Sequence, residues 1–359
     1  MNPVREFFHA WERRLAFRDD YERRVLAFDW GVEHLPSFSR WRAPGRVSNP
    51  SEARAVVHDH ASAVLGFSEE YFAIEPIPDF ALDGHRLRFT SPAVSGFAEN
   101  DAAHADYFPA SKNGAGPGPA VLVLPQWNAR EGAQEGLCRL LNRFGLTALK
   151  LALPYHEERR PRELSRADHT LSPNIGRTLQ SCRQAVLDSR AAISWLHDGG
   201  HGPLGIVGTS LGSCIAFITV AHEERLSAGV FNHISPFFAD VVWRGISTRH
   251  VREGLEPGVA LEELRKLWLP LSPFSYYQRL ARRGSPSLLV YGRYDLSFPP
   301  DLSLELLRDF QRLRIEHESF ALPCGHYTTA KFPFNWMDGL LIAGFLRRNL
   351  GGRSSRAQK

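Results

Sequence analysis

Cysteine is scarce in this chain, with four residues at positions 138, 182, 214 and 324. None is spaced as a metal-binding pair and most fall in apolar segments. Neither a disulfide framework nor a zinc motif is therefore expected, and the four read as reduced thiols. There is also no apolar run of about 18 residues, so no membrane-spanning helix is expected. The opening residues, Met-Asn-Pro-Val-Arg-Glu-Phe-Phe-His-Ala-Trp-Glu-Arg-Arg, carry charges where a signal peptide has its apolar stretch. That predicts a cytoplasmic protein. Lysine is rare too, five against 38 arginines, yet net charge is only +4 because acids interleave with the bases. Without a basic stripe, no nucleic-acid partner is expected. Histidine pairs give no metal site: His58 and His60 lie in a helix-like segment where their rings diverge, and Gly199-Gly200 interrupts the helix between His197 and His201.

The remaining composition suits a large folded domain. The chain has 359 residues, 43% of them hydrophobic, with eight Trp and 23 Phe. That is enough for one large α/β domain with additions, or for two domains. Its most informative stretch is Leu204-Gly-Ile-Val-Gly-Thr-Ser-Leu-Gly-Ser-Cys214. A short apolar run enters Gly208-Thr-Ser210-Leu-Gly212, and an apolar helix-like segment leaves it. This is G-x-S-x-G between a buried strand and a helix, the setting in which a tight turn exposes a serine hydroxyl. Glycine is expected at 208 and 212 because a Cβ would clash where strand and helix approach.

A serine hydroxyl is a weak nucleophile near neutral pH and needs a base, itself oriented by an acid. Ser287 to Tyr291 is a buried-strand run followed by Gly292-Arg-Tyr-Asp295. Ile315 to Leu322 reads as the last strand, followed by Pro323-Cys-Gly-His326. Asp301 is the rival acid, but Pro299-Pro300-Asp301 reads as the first turn of a helix. The order Ser210, Asp295, His326, with acid and base each just past a strand, resembles the α/β-hydrolase superfamily over about residues 70 to 350. The resemblance implies a mostly parallel α/β-hydrolase sheet of the eight-stranded type, flanked by helices. It also implies an oxyanion hole from the backbone amides of Leu211 and Trp127, the latter in Pro125-Gln126-Trp127-Asn128, where relatives commonly carry His-Gly in place of Pro125-Gln126. The N-terminal helices and the segments V-F-N-H-I-S-P-F-F-A-D-V-V-W and L-P-Y-H-E-E-R-R-P also resemble bacterial relatives of the abhydrolase-domain-eighteen family. That narrower resemblance leans the substrate toward lipids.

Periodicity and punctuation organise the rest. Residues 1–69 read as an N-terminal helical extension, with a near-repeat of Trp11–Phe17 at Tyr21–Phe28 in helical phase, and a second helix from Ser51. Its basic, amphipathic character suits packing on the domain, with peripheral membrane contact as the alternative. The catalytic domain is placed at 70–350 and a disordered tail at 351–359. Strands are expected at Tyr71–Ile77, Arg86–Thr90, Ala103–Phe108, Ala120–Leu124 and Thr147–Leu153, and helices at Glu131–Arg143 and around Leu179–Leu196. The roughly 50 residues after Ile234 exceed one crossover, and are expected to form a small helical lid at about 235–284. Gln126, Tyr155, His156, Phe238 and Trp243 are the candidate substrate-binding residues of an aromatic pocket. The basic loop Arg159-Arg160-Pro161-Arg162 reads as a solvated loop or a dock for an anionic group.

The expected activity is hydrolysis of a carboxylic ester through a Ser-His-Asp triad, with a small-molecule ester or lipid as substrate. Neither metal nor organic cofactor is implied. A lipase, thioesterase or peptidase would use the same triad, and a non-catalytic binding module is the alternative of another class. Oligomeric state is not legible.

Overall fold

The computed structural model describes residues 2–18, 22–110 and 117–351. One nine-stranded sheet runs in the order β1-β2-β3-β5-β4-β6-β7-β8-β9. β1 (Ala81–Asp83), β2 (Arg86–Thr90) and β3 (Ala102–Phe108) form an antiparallel wing, and β3 is antiparallel to β5 (Thr147–Leu151). From β5 onward, β4 (Ala120–Leu124), β6 (Leu204–Thr209), β7 (Leu226–Asn232), β8 (Ser287–Gly292) and β9 (His317–Leu322) are all parallel.

Alternation along the strands explains why both faces are covered. In β4, Val121 and Val123 enter one core while Leu122 and Leu124 enter the other. Successive strand residues point to opposite faces, so a strand apolar throughout must be buried on both. One face is covered by α5 (Glu135–Arg143) and α13 (Phe334–Leu350), through Leu141, Phe345 and Leu346. The other is covered by α6 (Ile175–Asp198), α7 (Leu211–His222) and α12 (Pro300–Arg312), through Leu179, Phe217 and Phe310. All four cysteines are buried and free, and among the described residues no helix is long and apolar enough to cross a membrane.

Other helices complete the shell: α1 (Pro3–Ala16), α2 (Pro50–Gly66) and the short α3 (Ser68–Tyr71) and α4 (Ala98–Asp101). Between β7 and β8 lie α8 (Phe238–Arg244), α9 (Arg249–Leu255), α10 (Leu261–Leu267) and α11 (Tyr277–Arg283). This insertion is tied down. Arg265 makes hydrogen bonds of 2.7 and 2.6 Å to Asp240, joining α10 to α8, and His58 of α2 pairs with Glu263 of α10 at 3.1 Å.

Several expected elements differ. The helical near-repeat is a helix only in its first copy, where Pro3 starts α1 and Asn2 caps it by accepting from the Val4 amide. Residues 19–21, which include Tyr21 of the second copy, lie outside the described residues. After them, residues 23–30 contain no helix: Ile175 donates to Asp29 O (3.0 Å) and Gly176 to Trp30 O (3.1 Å), so this segment satisfies free amides at the start of α6. A tertiary backbone contact overrides helical phase there. Tyr71–Ile77 is not a strand; α3 ends at Tyr71 and an irregular stretch follows. Its apolar character comes from aromatic burial, with Tyr71 and Phe72 packed on each other and Phe72 on Tyr276. The helix expected from Glu131 begins at Glu135, because Gln134 holds φ 67° and breaks helical continuity. The tail beyond 351 lies outside the described residues.

Candidate active site

The elbow follows from packing. Ser210 joins β6 to α7 at φ 58°, ψ −120°, a costly conformation for a residue with a side chain. A Cβ on Gly208 would lie 2.0 Å from Gly212 O, and one on Gly212 would lie 2.5 Å from both Leu124 O and Pro125 O. Only glycine allows that approach of strand, turn and helix. Ser210 N–H donates to Asn232 O (2.8 Å), while the buried Ser213 hydroxyl reaches Ser210 O (2.6 Å) and His233 O (2.8 Å). These bonds bolt the turn to the end of β7.

Asp295 and His326 meet beyond β8 and β9. Asp295 Oδ1 accepts the Ser297 and Phe298 amides, each at 2.7 Å. Its Oδ2 accepts Nδ1–H from two histidines, His326 at 3.0 Å and His233 at 2.8 Å. Burial alone would raise the Asp295 pKa, but the charge of His326 and the two imidazole hydrogen bonds outweigh it and hold the carboxyl well below the usual range. Burial works against the charged form of His326, yet the Asp295 charge and hydrogen bond, with the more distant Glu12, leave its pKa raised. His233 goes the other way, lowered chiefly by burial, so it is neutral at neutral pH. The rival Asp301 is exposed and pairs with Arg244 at 2.8 Å.

With Nδ1 committed to Asp295, Nε2 is the ring nitrogen left to act on a substrate or nucleophile. Ser210 and His326 line one cavity of about 1380 Å³. They make no direct hydrogen bond with each other. Phe298 stacks on His326 with centroids 5.3 Å apart and rings parallel to within 1°.

His233 is the residue that sequence reasoning missed. It is one of 15 histidines, and its one mark is position, directly past the buried strand β7 at the sheet end shared with Ser210. Among the described residues, His233, Asp295 and His326 have metal-ligand spacing, with ligand atoms within 4.8 Å of one another. Both Nδ1 atoms, however, lie at hydrogen-bond distance from one oxygen, so a cation would have to displace both protons.

The loop after β4 is held by side chains. Trp127 donates Nε1–H to Ala167 O (2.8 Å), stacks on His250 (5.8 Å, 4°), and meets the Arg166 guanidinium 5.4 Å from its ring centre. Asn128, at φ 54°, donates its N–H to His156 Nε2 (2.8 Å) and accepts the Ala167 amide (2.8 Å). His156 in turn donates Nδ1–H to Pro154 O at 2.9 Å, and burial pushes its pKa down to about 4. The neutral imidazole therefore accepts from Asn128 and fixes a loop that lacks the common glycine.

Of the candidate substrate-binding residues, Gln126, His156 and Phe238 line the cavity, as do Leu211 and Trp127. Tyr155 and Trp243 do not. Tyr155 is buried, its ring against Phe97 and His169, and Trp243 packs on the core. Of the basic loop, Arg159 is buried against Asp188 at 2.8 Å, whereas Arg160 reaches the cavity.

Asp338 of α13 also lines the cavity, accepting from Asn232 Nδ2 at 2.7 Å, and burial pushes its pKa up to about 7. Its carboxyl titrates near the ordinary value of 3.8 when unfolded, so folding disfavours the ionised form. The penalty is absent at low pH and develops as pH rises through 4 to 7. Asp338→Asn should therefore raise Tm by about 2–4 °C at pH 8 and change it little at pH 4. Equal shifts at both pH values in thermal melts would refute the ionisation argument.

No family model matches the chain, and no curated protein matches it. Solved structures do. The chain is similar to acetyl xylan esterase 1 from Thermoanaerobacterium, with 16% identity and TM-score 0.55 over 81% of this chain and 93% of that one. It is similar to a lipase in an open form, with 13% identity and TM-score 0.51 over 73% and 97%. It is also similar to the acylaminoacyl peptidase of Pyrococcus horikoshii, with 14% identity and TM-score 0.53 over 80% and 43%, so it spans less than half of that peptidase. The fold is that of the α/β-hydrolases. The narrower resemblance to the abhydrolase-domain-eighteen relatives rests on sequence segments alone.

Proposed function

We propose that this protein is a serine hydrolase that cleaves a carboxylic ester. The observation that carries the reading is the convergence of a strained Ser210 elbow and an Asp295-held His326 on one cavity. In this reading Ser210 Oγ attacks the acyl carbon while His326 Nε2 takes its proton. His326 then returns that proton to the leaving alkoxide, and an acyl-serine results. Water, deprotonated by the same imidazole, attacks the acyl-serine and releases the acid and the free serine. Asp295 keeps the proton on Nδ1 and stabilises the imidazolium. The amides of Leu211 and Trp127 are the proposed donors to the oxyanion. A panel of esters, thioesters and amides, each run against Ser210→Ala, tests the class of bond.

An apolar stretch of wall supports an acyl group of some length: Phe238, Val241 and Val242 of α8 line the cavity, with Phe298 and Ile342. Each methylene buried there contributes up to about 0.8 kcal/mol. Between acetyl and hexanoyl esters kcat/KM should therefore rise about tenfold or more, because contacts retained in the transition state appear in that ratio. Phe238→Ala should flatten the series, and Trp243→Ala, away from the cavity, should not. A steady fall from acetate to hexanoate would show a short polar acyl site instead.

A further inference from the structure

Glu12 of α1 is fully buried, and its carboxylate is spent on the loop that carries His326. Oε1 accepts the Thr328 amide and the Thr328 hydroxyl, both at 2.8 Å, and Oε2 accepts the Tyr327 amide at 3.0 Å. Those amides immediately follow His326. Gly325 immediately precedes it, and a Cβ there would lie 2.4 Å from Glu12 Cδ. The Gly325 amide also donates to Thr328 Oγ1 at 2.7 Å, closing the loop around the carboxylate. Both sides of the histidine are thus shaped around one side chain 316 residues from Thr328 in sequence.

A buried carboxylate is costly to maintain and needs such a set of donors. An apolar residue would join α1 to the domain at lower cost. What the carboxylate adds is directional acceptors at the loop amides and a negative charge near the imidazole. We propose that Glu12 is a positioning residue for His326, fixing the 325–328 loop and placing a second negative charge near the ring, so that α1 is part of the active site. This rests on the hydrolase reading above.

The groups acting on His326 are Asp295, Glu12 and the neutral His233. Around Glu12 stand Asp295, the Cys324 thiol, Thr328 and Tyr327, whose phenol oxygen accepts from Arg23 at 3.2 Å. Burial, with the Asp295 charge, leaves the Glu12 pKa raised although the loop hydrogen bonds oppose it. The Glu12 charge favours the imidazolium, so removing it should move the titration of His326, and the acid limb of kcat/KM, to lower pH.

The experiment is Glu12→Gln in the full-length chain. Glutamine keeps the shape but can accept with one end only, so the loop loses an anchor. The expected result is a roughly tenfold or greater fall in kcat with KM for a short ester within about twofold. The His326 titration, followed through its imidazole NMR signals, should move to lower pH. Glu12→Asp should restore that titration toward wild type while kcat stays reduced. Gly325→Ala, which drives a methyl onto the carboxylate, should lower kcat similarly and add little on top of Glu12→Ala, where the space is open. Should the wild type show no Ser210-dependent turnover, the hydrolase reading falls while the titration still decides this proposal. A folded Glu12→Gln protein with wild-type kcat and an unmoved titration, even with a lower Tm, would overturn it.

Discussion

Ser210→Ala should abolish labelling by a fluorophosphonate and lower kcat on any accepted ester by about a millionfold. The variant is a clean probe because alanine and serine bear the same strain at φ 58°, each with one Cβ, so the elbow is retained. Only Oγ is lost, and with it the proposed nucleophile. His326→Ala should cost a comparable factor, since nucleophile and base act as a unit and their losses do not add. Intact-mass analysis after labelling, with kcat on the best substrate of the panel, measures both. Undiminished labelling of Ser210→Ala would place the nucleophile elsewhere. A folded wild type that neither labels nor turns over any ester, thioester or amide would favour the binding-module reading.

What the sequence made legible was decided by how much local chemistry constrained it. The elbow was readable because Gly208 and Gly212 lie where any Cβ would meet backbone at 2.5 Å or less, a demand that leaves a signature. The loops of Asp295 and His326 were readable because each follows a strand in the parallel sheet, whose carboxyl edge collects functional residues. His233 had no such frame. Its role exists only once β7 and β8 are neighbours, which brings its Nδ1 to 2.8 Å from Asp295. Likewise nothing local ties Glu12 to Thr328, or His156 to the amide of Asn128. Helical phase failed at residues 23–30 because α6 offers unpaired amides there. Tyr155 and Trp243 show the remaining ambiguity, since an aromatic residue that fills a core reads the same as one that lines a pocket.

Asp295→Asn should lower kcat by about four orders of magnitude at neutral pH while leaving the fold in place. The size of the effect follows from the four donors this carboxylate accepts. Two are the Ser297 and Phe298 amides on Oδ1, and two are the imidazoles of His233 and His326 on Oδ2. An asparagine offers an acceptor to one pair and an NH₂ group to the other. The backbone amides cannot give up their protons, whereas an imidazole can change tautomer. The carboxamide oxygen should therefore take the backbone side and turn its NH₂ toward the histidines. His326 would then accept at Nδ1 and carry its proton on Nε2, where a base for Ser210 needs a lone pair. His233→Gln tests the same network from the other side. It removes one imidazole from Oδ2 but leaves the His326 bond, so its cost in kcat should be far smaller, about tenfold. Imidazole NMR of Asp295→Asn should show the His326 proton on Nε2. Activity within tenfold of wild type in Asp295→Asn would assign the orienting acid to another residue. A His233→Gln loss as large as that of Asp295→Asn would mean that the two histidines work as one unit.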